Sequence, residues 1–388
     1  MRTDVAIVGA GLAGSTLAIE LGRRGYGVAV FEQSEFPREK PCGEGLMPRG
    51  VAALEEMGIA TEKLGAEIRG LRLYFGEWLA ENAFGGRDAT RRVIGRGMRR
   101  RDLDAALARR ASETPGVVLH TGMRVSAPLV EQGRVTGLVV EGQSVRAPLV
   151  VAADGARSRM RHALGLNLEA RKKRVGMRMH FRRGAGFPEQ THVEIFAGKG
   201  YELYVTPLPE EEFLVAALVE TEALRGRPGE DFRRWCGAQP ALRERMRDAT
   251  PVSDLLTASP LSGRARRRVL PGLVLLGDAA GFTDPITAGG MTEALETARM
   301  LAAHLAAAKL WNEDILEAFD KRREAAMRDV SRMAASCLWL TRHPRWLAPA
   351  LQIACRAPRL TLHAIGAARG VRRLFGDSPR LEVSRIAA

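Results

Sequence analysis

The chain has 388 residues, 46% hydrophobic, 27% charged and 5% aromatic, a globular composition long enough for two or three structural units. Its formal net charge is +14; of the 59 basic residues seven are Lys and 52 are Arg, and the last 58 residues alone carry +8. No stretch approaches the roughly 20 uncharged apolar residues of a membrane span, and the four scattered cysteines, Cys42, Cys236, Cys337 and Cys355, lack metal-ligand spacing and disulfide density, which points to a reducing, cytoplasmic setting.

Residues 4 to 8 read Asp-Val-Ala-Ile-Val, a short apolar run suited to a buried parallel strand rather than to a signal peptide. Gly9-Ala-Gly11-Leu-Ala-Gly14 follows at once, and Ser15 to Arg24 is helical in pattern. Gly9 allows the tight turn, Gly11 lets the backbone approach a pyrophosphate, and Gly14 lets helix and strand pack closely. A second strand, Val28 to Phe31, ends on Glu32, in register to hold a ribose hydroxyl. Strand, fingerprint, helix, strand and terminal acid together predict a dinucleotide site, and FAD and NAD both satisfy it.

Residues 36 to 50 place Arg38, Lys40 and Cys42 in a loop with Gly43, Gly45 and Gly50, a segment suited to run along a cofactor. Arg38 is a candidate phosphate contact and Cys42 a candidate catalytic residue beside the cofactor. Short β-like runs follow at Ile68 to Phe75, Val175 to Phe181, Thr191 to Phe196, Tyr201 to Thr206 and Phe213 to Val219. They predict one antiparallel sheet over the cofactor, with Met177, Met179, Phe181, Tyr201, Leu203 and Tyr204 as candidate pocket residues. His180 and His192 lie on the same sheet; the seven histidines do not cluster, so no metal site is expected. Residues 229 to 247 read as helical.

Two strand ends carry carboxylates among small residues: Asp154-Gly155 after Leu149-Val-Val-Ala-Ala, and Gly277-Asp278 after Leu273-Val-Leu-Leu. Such a carboxylate suits a polyol like the ribityl chain of a flavin. Pro285, a further pocket candidate, precedes Gly289-Gly290-Met291 and a long helical run over 292 to 335. A helix opening at Gly290 aims N–H groups at an electron-rich cofactor edge. No second fingerprint is present for a separate nicotinamide domain. The Arg-rich remainder, with Trp339 and Trp346, reads as a helical cap that could contact an anionic membrane; no nucleic-acid motif is found.

In order and spacing these segments resemble the p-hydroxybenzoate hydroxylase-like flavoprotein superfamily over about residues 1 to 300. The resemblance implies FAD as cofactor and NAD(P)H as transient electron donor. It assigns Asp154, Gly155 and Arg157 to FAD and nicotinamide contacts, Asp278 to the ribityl chain, and Arg100, ahead of Leu103-Asp104, to the flavin nucleotide. The Cys42-Gly43-Glu44-Gly45-Leu46 loop is similar to one in the geranylgeranyl reductase family, although the Tyr-x-Trp-x-Phe-Pro strand of those enzymes is replaced by Tyr201-Glu-Leu-Tyr204-Val-Thr-Pro207.

The expected fold class is α/β: a Rossmann-like FAD-binding domain (1–66, 95–173, 263–330) interrupted by an antiparallel-sheet substrate domain (67–94, 174–262), with C-terminal helices (331–388). The expected function is a single-component monooxygenase using NAD(P)H and O2 on an apolar aromatic or polyketide-like substrate. The alternatives are a reductase of prenyl-lipid C=C bonds and, outside the enzymes, a basic membrane-binding flavoprotein.

Overall fold

The computed structural model describes residues 3–84, 93–166, 168–170, 173–184, 187, 189–356 and 380–385. Strand β1 (Val5–Val8) is buried along its whole length, as an apolar strand covered on both faces must be. It leads into helix α1 (Leu12–Gly22), and β2 (Val28–Phe31) returns parallel to β1. The Cys42 loop and helix α2 (Pro48–Glu56), which opens with Pro in its first turn, precede a hairpin, β3 (Gly70–Phe75) and β4 (Trp78–Ala83). Helix α3 (Arg100–Ser112) has Asp102 in its first turn and Arg109 and Arg110 in its last, which suit its macrodipole, while Arg100 and Arg101 at its start oppose it. Strands β5 (Val117–His120) and β6 (Leu149–Ala152) then join the sheet of β1.

The chain next enters a second sheet through β7 (Arg174–Arg182), β8 (His192–Gly198), β9 (Tyr201–Pro207) and β10 (Glu212–Glu220). Helices α4 (Pro228–Ala238) and α5 (Pro240–Arg245), split by Pro240, cover one face of it. Strand β11 (Leu273–Leu275) returns to the first sheet beside β6. Helix α6 (Gly290–Ala306) packs on α1, and the 30-residue helix α7 (Glu313–Arg342) follows, its Asn312 cap accepting from the Ile315 amide. Helix α8 (Pro344–Arg356) and strand β12 (Arg380–Arg385) end the described chain.

The first sheet has the order 269–270, β11, β6, β1, β2, β5, parallel except at its outer 269–270 strand. Together with the second sheet and the C-terminal helices it makes the α/β class expected from the sequence. Two details differ. The second sheet contains one parallel pair, β8 with β3, because β3 arrives from the earlier excursion and docks on the edge of the later meander. The C-terminal segment is not helical throughout: β12 pairs antiparallel with β4 and covers an edge that would otherwise be open. Residues 85–92 of the expected first excursion and 357–379 of the expected cap lie outside the described residues.

Candidate functional site

The fingerprint glycines have separate physical reasons. Gly9 has φ +96°, and a Cβ there would lie 2.7 Å from the Ala153 carbonyl oxygen. A Cβ on Gly14 would lie 1.9 Å from the Gly9 carbonyl oxygen, so no side chain fits between helix and turn. At Gly11 a Cβ would meet only a guanidinium nitrogen of Arg38, at 3.6 Å. The space above the α1 N-terminus is therefore open and edged by positive charge, the setting for a pyrophosphate.

Around this turn the side-chain contacts form a chain. Glu32, buried at the end of β2, accepts from the Ala10 amide at 3.0 Å and the Ser34 amide at 3.1 Å. Arg38 lies 3.4 Å from Glu32 and 3.2 Å from Asp104, with its Nε buried and without a partner. Arg100 is buried and holds Asp104 through three hydrogen bonds of 2.9 to 3.1 Å. Burial works against its charge, but Asp104 and the Cys42 sulfur outweigh this and hold its pKa above the ordinary arginine value.

Asp154 caps the short helix 159–163 by accepting from the Met160 amide at 3.2 Å, while its other oxygen is buried without a partner. Gly155 has φ +80° and faces Lys40, whose Nζ is 3.7 Å from Asp278. Arg161 donates to the Ala156 carbonyl at 2.7 Å and the Ala279 carbonyl at 2.9 Å, tying the Asp-Gly and Gly-Asp turns together. Arg157 is exposed. Gly290 opens α6 with nothing within 4 Å of its Cβ direction, and Met291 is buried behind it.

The Cys42 loop is held from below. Glu44, with φ +59° and no exposed surface, accepts from the Arg100 amide at 3.0 Å, a carboxylate at a helix N-terminus. Its second oxygen lies 2.7 Å from Nε2 of His180. Arg178 contacts Nδ1 of His180 at 2.8 Å; an arginine can only donate, so Nδ1 accepts and Nε2 carries the proton toward Glu44. Thr206 of β9 donates to the Gly43 carbonyl at 2.9 Å. Cys42 is half-buried, its sulfur 3.4 Å from the Glu44 amide.

The face of the second sheet turned to this loop carries Val193, Tyr204, Leu214, Ala216 and Leu218, which pack with Met47 and with Val330 and Met333 of α7 in one apolar cluster. Pro285 stands in the turn before α6, and the Tyr204 hydroxyl donates to the Ile286 carbonyl at 3.3 Å. Burial pushes the Tyr204 phenol well above its ordinary pKa. At one end of this cluster Arg174 pairs with Asp284 at 2.7 Å and with Glu202; both carboxylates are buried.

Five of the expected pocket residues point elsewhere. Met179 and Tyr201 lie on the other sheet face, as do Met177, Phe181 and Leu203. Tyr201 stacks on Trp235 of α4 at 5.7 Å, and its hydroxyl accepts from Gln239 at 3.0 Å. The period-two alternation of β9 sends residues 201 and 203 to the helices and 202 and 204 toward the loop. The sequence reading did not include Lys40, Glu44, Asp104 or Arg174 among the site residues. The one local signal was a charge set among small residues, as in Gly43-Glu44-Gly45.

The residues gathered here suit FAD. The open space at Gly11, the unpartnered Arg38 Nε and the unpartnered Asp154 oxygen stand where a nucleotide would contact this site. A sequence family described as FAD binding domain matches residues 2–334. A digeranylgeranylglycerophospholipid reductase of Methanothrix thermoacetophila is 28% identical over 350 residues, 86% of this chain and 86% of that protein. A menaquinone reductase of Mycolicibacterium smegmatis is 29% identical over 316 residues, 78% of this chain and 76% of that protein. Among solved structures, a myxobacterial chondrochloren halogenase superposes with a TM-score of 0.80 at 21% identity over 97% of both chains, a likeness of fold. The chain belongs to the FAD binding domain family and is a FAD-dependent oxidoreductase.

Proposed function

We propose that the protein is a reductase that saturates C=C bonds of an apolar isoprenoid lipid with electrons from NAD(P)H. The observation that carries this reading is the Cys42 loop. A half-buried thiol sits beside Arg100, two residues from the lysine that meets Asp278. An O2-activating site would expose such a thiol to oxidation, whereas a site of C=C reduction uses a nearby proton carrier. The names of the curated relatives, reductases of a digeranylgeranyl lipid and of menaquinone, support the same class.

In this reading Gly9, Gly11 and Gly14 with the α1 N-terminus receive the pyrophosphate, and Glu32 the adenosine ribose. Arg38 and Lys40 offset phosphate charge, and Arg100 orders the nucleotide wall through Asp104. Asp278 holds the ribityl chain, and Gly290 and Met291 present amides to the pyrimidine edge. Asp154, Gly155 and Arg157 serve FAD and the passing nicotinamide. FAD, when bound, would carry two electrons from NAD(P)H to the substrate double bond. The cluster around Val193, Tyr204 and Leu218 excludes water from an apolar chain, Pro285 closes its inner end, and Cys42 holds a proton at Sγ. The proposal keeps the division into FAD-binding parts 1–66, 95–173 and 263–330 and substrate parts 67–94 and 174–262.

The fold shared with a halogenase favours a second reading, a monooxygenase acting on an apolar aromatic or polyketide-like substrate. One experiment separates them. Purified yellow protein, with its released FAD identified, is given NADH or NADPH and either geranylgeranyl lipids or apolar phenols, with and without air. The reductase reading expects anaerobic product with one H2 added per double bond. Product that forms only in air and carries an added oxygen atom overturns it.

A further inference from the structure

Among the described residues six large hydrophobic side chains are markedly exposed, and three of them sit together in sequence at the C-terminal end: Trp339 at 51%, Trp346 at 50% and Ile353 at 60%. Helix α8 is seated by Leu347, which is buried against Phe75 and Ala80 with Leu340 of α7 beside it. Trp346 and Ile353 are seven residues apart, so they share the face that α8 turns to solvent. Trp339 stacks on His343 at 4.6 Å, which extends the exposed aromatic surface back onto α7. Arginines border this surface. Arg345 lies 5.9 Å over the Trp346 ring, and Arg332, Arg342 and Arg356 are exposed. Between residues 331 and 388 the only acids are Asp377 and Glu382 against ten arginines. No described helix is long and apolar enough to cross a membrane.

We propose that this face docks on the surface of an anionic lipid bilayer, with Trp339, Trp346 and Ile353 at the boundary of headgroups and acyl chains and Arg345 and Arg356 on lipid phosphates. Indole rings favour that boundary, since one edge is apolar and the N–H needs a polar partner. Arginines at the rim add electrostatic attraction that salt weakens. The position in the fold gives the surface a use. Met333 of α7 lies in the apolar cluster under the sheet, and Cys337 packs against it. Trp339 follows two residues later, so the same helix that walls the cluster leads to the docking face. Delivery of substrate from the bilayer along this helix rests on the isoprenoid-lipid reading; the docking itself does not.

The test uses FAD-loaded full-length protein without nicotinamide or substrate, sedimented with vesicles of phosphatidylcholine alone or mixed with phosphatidylglycerol. Sedimentation is expected with the anionic vesicles, decreasing as salt is raised. The triple substitution Trp339→Ser, Trp346→Ser, Ile353→Ser and the separate pair Arg345→Glu, Arg356→Glu should each lower the apparent affinity by about tenfold or more. Retained FAD and an unchanged melting temperature show that a variant is folded, and the charge pair decides if the triple variant is not. Unaltered vesicle binding by the folded variants overturns the proposal, as does wild-type protein that ignores anionic vesicles. So does a wild-type dimer that the triple substitution converts to monomer, since a second copy would then own this face. Because no turnover is read, failure of docking leaves the reductase reading standing, and the reverse holds as well.

Discussion

Substituting Gly11 and Gly14 separately distinguishes a glycine that makes room for a ligand from one that makes room for the chain itself. Gly11 caps α1 with φ −77° and ψ −168°, a conformation open to alanine. Its new methyl would touch only Arg38 at 3.6 Å, an ordinary van der Waals contact. Alanine is a poorer cap than glycine by about 0.5–1 kcal/mol. It also stiffens the unfolded chain, which returns about 0.4–1 kcal/mol, so apoprotein stability should be nearly unchanged. With FAD bound the same methyl occupies the space meant for the pyrophosphate. An overpacked contact costs about 1–3 kcal/mol, which is roughly a 5- to 150-fold rise in Kd. Gly14→Ala differs: its methyl would be 1.9 Å from the Gly9 carbonyl and 3.3 Å from Ile7, so strand and helix must separate. The loss there falls on the apoprotein, at about 3 kcal/mol or more. FAD titration of apoprotein by fluorescence quenching, with urea denaturation of the same samples, reads both quantities. A Gly11→Ala protein that binds FAD like the parent, or that loses as much stability as Gly14→Ala, would refute the placement of the pyrophosphate.

Arg174→Met leaves Glu202 and Asp284 buried without their cation and should destabilise the fold by about 3–5 kcal/mol in urea denaturation; adding Glu202→Gln should recover part of the loss, and an unchanged midpoint in the single variant would contradict the pairing. Burial pushes the Glu293 carboxyl up to about 7 from its ordinary 4.5. Between those two values the folded protein keeps a proton that the unfolded chain has released, so this group's contribution falls as pH rises and then levels off. Stability of Glu293→Gln relative to the parent should therefore climb by about 3 kcal/mol from pH 4.5 to above 7; parallel stability curves would remove the assignment. Cys42→Ala should retain FAD, since Arg100 keeps Asp104, yet lose on the order of 10²-fold in anaerobic turnover. Full anaerobic activity in that variant would take Cys42 out of the proton path.

The nucleotide half of the molecule was legible because its signals are local. Gly9, Gly11, Gly14 and Glu32 sit within one strand-helix-strand unit, where spacing alone constrains geometry. The second sheet was legible as strands but not as faces. Both of its faces are buried, one under α4 and α5 and the other against the Cys42 loop and α7, so residues 201 to 207 are apolar or buried throughout and alternation gives no direction. Tyr204 and Tyr201 could not be told apart until the packing of Trp235 was seen. The ion pairs that assemble the site, Lys40 with Asp278 and Arg174 with Asp284, join residues far apart in the chain and leave no local trace. Strand β12 was missed for a similar reason: its partner β4 lies some 300 residues earlier, and only an open sheet edge makes it a strand.

The most direct test of C=C reduction is to reduce the FAD-loaded protein with NADPH or NADH in the absence of oxygen, remove excess donor, and add a geranylgeranyl lipid while following flavin absorbance. The account predicts that the oxidised flavin spectrum returns without oxygen, with one double bond saturated per flavin reoxidised. A flavin that stays bleached in the presence of lipid and regains its colour only when air is admitted would contradict it.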